Sequence, residues 1–219
     1  MLPKCAATLF DLILFAAIQS QPASTQIATT AQAASAARSA ASSSAYALEY
    51  TKDGRLLPPA KYREWVFLTS GLGMNYGPNA AMSDHTMFDN VFVNPESYRA
   101  FVETGTWPDK TVMILEVRSA ESKGSINKSG HYQGTQIMGI EAHVKDESRF
   151  PGKWAFFDFE NEGGGTLIPP AATCYSCHAE HAAVDTTFVQ FYPTLLPIAK
   201  KRATFSAAYL KEMDKPLTK

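Results

Sequence analysis

Hydrophobic patterning is confined to part of the chain. Apart from a short apolar run at Leu9–Ile18 (LFDLILFAAI), aromatic and aliphatic positions begin in earnest only near Leu48. From there, Pro59–Ser70 (PAKYREWVFLTS) predicts a short helix, or a helix running into a strand, and Gly71–Asn79 is rich in turn residues. His85–Val93 (HTMFDNVFV) alternates and is rich in β-formers, which predicts a strand. Pro95–Glu103 (PESYRAFVE) has helical spacing and opens on a proline, the residue best suited to a first helical position. Thr111–Ser119 (TVMILEVRS) and Gln136–Val144 (QIMGIEAHV) predict two more strands, and the Gly- and Ser-rich stretch between them suits a hairpin-like connection. Trp154–Phe159 (WAFFDF) predicts a fourth strand, followed by the glycine run Gly163–Gly165 and then a helical C-terminus. This order predicts a β-rich α+β fold, a small antiparallel sheet with flanking helices.

The segment before Leu48 reads differently. Ser24–Ala47 holds 10 Ala and 6 Ser in 24 residues, with no face that burial could stabilise, and is read as a flexible linker. Met1–Lys4, the apolar run and the polar and small residues Gln19–Ala23 have the layout of a secretory signal peptide, which predicts export to the periplasm. A buried N-terminal helix is the alternative, and Asp11 interrupts the apolar run. No apolar stretch reaches the ~20 residues of a membrane-spanning helix. The expected organisation is signal peptide 1–23, linker 24–47, a folded domain 48–197 and a C-terminal tail 198–219. Within 219 residues, 20 Lys+Arg against 21 Asp+Glu give a net charge of −1, which argues against nucleic acid as a partner.

The chemistry is concentrated in CYSCH, Cys174–His178. The chain has three cysteines, and removal of Cys5 with the leader would leave only Cys174 and Cys177. Two thiols at this spacing can add to the vinyl groups of a haem, and the following histidine then falls beneath the iron as its proximal ligand. From this composition the pattern arises by chance on the order of once per thousand chains. One motif implies one covalent haem c, attached through Cys174 and Cys177 and ligated by His178. Zinc would need four ligands (Cys174, Cys177, His178 and His181) within eight residues, whereas zinc ligands usually come as separated pairs. A thioredoxin-like pair would want a βαβ setting, and a structural disulfide leaves His178 unexplained.

The blocks KYREWVFL (61–68), VFVNPESYRAF (91–101), TVMILEVRS (111–119), GIEAHVKD (139–146), RFPGKWAFFDF (149–159) and CYSCHAEHAAVDTTFVQFYPTL (174–195) together resemble the cytochrome P-460 family, which includes the cytochromes c′-beta. The resemblance spans about residues 48–197. It implies a β-rich fold, usually a homodimer, with one covalent haem on His178 and an open distal face. It also implies that Leu115 occupies the position of the lysine that cross-links to the porphyrin in hydroxylamine-oxidising members. Glu141 matches a distal glutamate thought to move protons in those enzymes.

Leucine has no nucleophilic nitrogen, so the expected function is binding of a small gaseous or nitrogen-oxide ligand such as nitric oxide. The alternatives are an oxidoreductase acting on hydroxylamine, nitric oxide or peroxide, with Glu141 as proton carrier and a partner cytochrome removing electrons, or a six-coordinate electron carrier. Strand alternation places Met113, Leu115 and Val117 on one face, and Glu141 with His143 on one face. Met113 and His143 are the candidate sixth ligands for the electron carrier. His181 is expected at the surface of a short helix, and Phe88 and Phe92 either cap the distal face or pack in the core. Trp65, Trp154, Phe156 and Tyr192 are assigned to the core, and Lys200–Arg202 to a solvated tail or weak docking patch.

Overall fold

Residues 48–74, 86–159 and 163–215 are described by the computed structural model. The leader and linker segments, and His85 at the start of one expected strand, lie outside them. Six strands, β1 (Val66–Leu72), β2 (Met87–Val93), β3 (Val112–Glu121), β4 (Tyr132–Lys145), β5 (Trp154–Asp158) and β6 (Thr166–Leu167), form one antiparallel sheet in chain order. Among the described residues four helices accompany it: α1 (Pro95–Thr104), α2 (Thr173–His181), α3 (Leu196–Arg202) and α4 (Ala207–Met213).

The expected β-rich α+β architecture is what forms. Pro59–Ser70 proves to be a helix entering a strand, with a single 3-10 turn at Tyr62–Glu64 before β1. That strand continues through Gly71 and Leu72, into the segment read as turn. A register shift between Phe67 and Thr69 turns Leu68 into the core. The strand β4 begins four residues earlier than Gln136 and forms a long hairpin arm with β3.

Both faces of the sheet are covered, which explains why VMIL in β3 and WAFF in β5 show no clean alternation. On one face Val112, Ile114, Ala142, Val144, Ala155 and Phe157 pack with Leu56, Tyr62 and Trp65 from the segment preceding β1. On the other, Val93, Met113 and Trp154 pack with Phe101 of α1, Trp107 and the C-terminal residues Val184, Val189, Tyr192 and Leu195.

Helix α1 starts at Pro95, with the Asn94 side-chain oxygen accepting from the Val112 N–H at 2.9 Å, and closes on Gly105 at φ 79°. A side chain at residue 105 would be strained by that φ, and its Cβ would also come within 2.7 Å of the Arg202 Cβ. The stretch expected as a C-terminal tail is not one as far as it is described, because residues 198–209 are built into the same core. Ala199 is fully buried, Ile198, Phe205 and Tyr209 pack against it, and Ser206 bonds both Ala182 and Ala183.

Candidate haem site

Positions i, i+3 and i+4 of a helix share a face, so Cys174, Cys177 and His178 lie together on α2. All three are half-buried, while Ser176, Ala179 and Glu180 are exposed. Tyr175 fastens the helix to the sheet. Its hydroxyl donates to the Ile168 carbonyl at 3.0 Å and accepts from the Phe156 N–H at 3.3 Å.

The His178 ring is enclosed by Phe188 at 4.4 Å, Phe156 at 4.6 Å and His143 at 5.1 Å between centroids. Its Nδ1 lies 2.7 Å from the Thr186 carbonyl oxygen. A carbonyl can only accept, so Nδ1 carries the proton and Nε2 keeps its lone pair. Burial holds the His178 pKa below the ordinary imidazole value, against the opposing pull of the Thr186 bond, and the ring is therefore neutral at pH 7. Two thiols and a neutral imidazole with a free lone pair are the donor set that a covalently attached haem requires. Cys174 and Cys177 would carry the thioether links and His178 would hold the iron.

Two of the rivals for the motif, the redox pair and the zinc site, gain no support from this geometry. A catalytic redox pair needs an activated thiolate, but burial, reinforced by Glu180, pushes the Cys177 thiol up. His181 is turned away to Glu212, at 3.0 Å, and half exposed. Among the described residues no three or more His, Cys, Asp or Glu side chains converge on a metal-ion position.

The sheet face that meets α2 is defined by the row Val93–Met113–His143–Phe156. The next row on that face is Val91–Leu115–Glu141–Asp158, about 7 Å along the strands. Leu115 and Glu141 are thus direct cross-strand partners on the side of the sheet that His178 touches, and both are half-buried. One row further lie Asp89, Val117 and Gly139, with burial pushing the Asp89 carboxyl up.

Phe88 and Phe92 do not belong to this face. Phe92 pairs with Ile114, not Leu115, and packs edge-on against Tyr62 and Phe67 on the opposite side of the sheet; Phe88 pairs with Arg118 on that side too. Strand alternation therefore removes them as distal lids and leaves the packing role. The two candidate sixth ligands are engaged elsewhere. Met113 is buried, with its sulfur 4.0 Å from the Tyr192 hydroxyl. His143 is stacked on Phe156 at 4.1 Å, and its Nε2 meets the Thr186 hydroxyl at 3.1 Å. It lies beside His178, and burial holds its pKa well below the ordinary imidazole value.

Trp65, Trp154, Phe156 and Tyr192 are buried as expected, with Phe156 also serving as a wall of the His178 pocket. Sequence reasoning missed Thr186, Phe188, Asp89 and Asp158. The segment DTTFVQF advertises Phe188 only as one more aromatic. The role of Thr186 depends on its backbone carbonyl, which no side-chain pattern announces.

Comparison with curated proteins found no match. The family described as Cytochrome P460 matches residues 59–189, more than half of the chain, from the start of the 3-10 segment to just beyond the His178 pocket. The match takes in every strand, the C-x-x-C-H helix and Thr186, and implies a c-type haem on the cysteine pair. On this match and this geometry, the chain belongs to the cytochrome P460 family.

Proposed function

We propose that the protein is an exported, periplasmic monohaem c-type cytochrome whose iron takes His178 on one side and is open to small ligands on the other. The observation that carries this reading is the engagement of both candidate sixth ligands, Met113 with Tyr192 and His143 with Thr186, while His178 Nε2 is left free to bind. When bound, the haem supplies an iron with a coordination position for a neutral diatomic such as nitric oxide.

Leu115 offers that position no hydrogen bond, which favours neutral diatomics over anions. The test is titration of the reduced protein with nitric oxide. One equivalent bound per chain is expected, with the same stoichiometry in Met113→Ala and His143→Ala. Spectra of those two variants that differ from the native protein in the absence of nitric oxide, and resemble an emptied coordination position, would contradict the reading.

A second reading is favoured by the direct pairing of Glu141 with Leu115. Glu141 would accept a proton from an N–H or O–H substrate, and a partner cytochrome would accept the electrons. Hydroxylamine is an unfavoured substrate because residue 115 cannot form the porphyrin cross-link. Association as a homodimer is supported by the family resemblance and by the exposed apolar side chains Phe67 and Leu72 on β1 and Ile137 and Met138 on β4.

A further inference from the structure

We propose that His143 is a positioning residue for the iron ligand, acting through Thr186. The inference rests on the haem reading above. Thr186 is a joint between the two histidines: its carbonyl holds the His178 Nδ1–H at 2.7 Å and its hydroxyl meets His143 Nε2 at 3.1 Å. His143 is itself immobilised, stacked on Phe156 at an interplanar angle of 12° and 4.4 Å from the Trp154 ring.

The rest of the turn is fastened on either side of Thr186. Val184 and Thr187 exchange backbone hydrogen bonds across it, and Asp185 takes a left-handed φ of 51°. The Lys145 ammonium reaches Asp185 at 3.3 Å and the Trp107 carbonyl at 2.7 Å. Thr187 accepts from the Trp107 indole at 2.8 Å and donates to the Val184 carbonyl at 2.8 Å. These contacts hold the neighbours, and the His143 bond holds the side chain of the residue that touches the iron ligand.

A metal-bound histidine whose second nitrogen donates to a well-placed acceptor is fixed in tautomer and orientation, and is more basic towards the metal. A more basic ligand favours the oxidised metal. Loosening Thr186 therefore raises the reduction potential and weakens the iron–histidine bond.

The test uses the full-length holoprotein, matured with its haem, and variants that remove either end of the bond. Thr186→Val is isosteric and removes the hydroxyl; His143→Phe keeps the ring packing and removes the nitrogen. Thr186→Ser keeps the bond. The readouts are the reduction potential and the iron–histidine stretch of the reduced protein by resonance Raman spectroscopy.

Thr186→Val and His143→Phe are each expected to shift the oxidised-to-reduced balance about tenfold, the lower end of effects from partners of metal ligands, which is ~59 mV for one electron. Both should lower the stretching frequency. Thr186→Ser should match the native protein, and the double variant should shift no further than either single change, because one bond is lost in all three. Native values in haem-loaded Thr186→Val and His143→Phe would overturn the proposal. So would additive shifts, a Thr186→Ser shift as large as that of valine, or folded variants that carry no haem. A native protein without covalent haem would instead overturn the reading beneath it.

Discussion

Leu115 on β3 stands directly across from Glu141 on β4, and both side chains leave the sheet on the face that carries the contacts of His178. An apolar group and a carboxylate thus share one row, next to the row that meets His178. Residue 115 thereby sets whether an amine stands beside the carboxylate.

Leu115→Lys would put an ammonium opposite Glu141, where opposite charges on paired strand positions attract. Hydroxylamine oxidation is expected to rise by at least about tenfold over the native protein, equivalent to ~1.4 kcal/mol of barrier. A red-shifted Soret band would accompany it if the amine reaches the porphyrin. Steady-state oxidation assays on the two proteins check this, and equal rates would contradict the role given to Leu115.

On the opposite face, Glu116 is 3% exposed and bonded to Tyr62, Arg63 and Arg118. Burial pushes its carboxyl up, but the three hydrogen bonds outweigh burial and hold it below the usual 4.5. A carboxyl depressed in the folded state contributes stability that is present above the unfolded pKa and lost as pH falls through the folded one. Asp146, held below its usual 3.8 by Lys110 and Ser148 against the effect of burial, acts in the same direction. Urea midpoints should therefore fall as pH drops below about 4.5, and Glu116→Gln should flatten that decline. At neutral pH, Glu116→Ala is expected to cost about 1–3 kcal/mol.

The helices beyond residue 197 contribute to the haem domain. Ser206 accepts no role from the motif itself, yet its N–H and hydroxyl hold Ala183 and Ala182, just past the last residue of α2. Ending the chain at residue 197 removes these bonds and the packing of Ala199, Phe205 and Tyr209, with an expected loss of about 3 kcal/mol or more. At this chain length that corresponds to a Tm lower by roughly 6–12 °C. Calorimetry of the two forms provides the comparison.

What was legible in the sequence follows from what local patterns encode. The strands β2 to β5, the proline-opened α1 and the attachment motif were all readable, because periodicity, proline placement and ligand spacing are local. Sheet order and face membership were not fully readable, since Phe92 and Leu115 are sorted only by register, Phe92 against Ile114 and Val91 against Leu115. The strand β6, with two residues, is too short to leave a pattern. His143 is a candidate sixth ligand from its strand position alone, and the contact that engages it is not local. Its Thr186 partner lies 43 residues away.

The most direct test of the central claim is the absorption spectrum of protein matured in a periplasm, oxidised and reduced, with and without carbon monoxide. Iron held by His178 with an open sixth position predicts high-spin spectra and a large shift on adding carbon monoxide to the reduced protein. A low-spin spectrum indifferent to carbon monoxide would contradict it, because a second protein ligand would then occupy the iron.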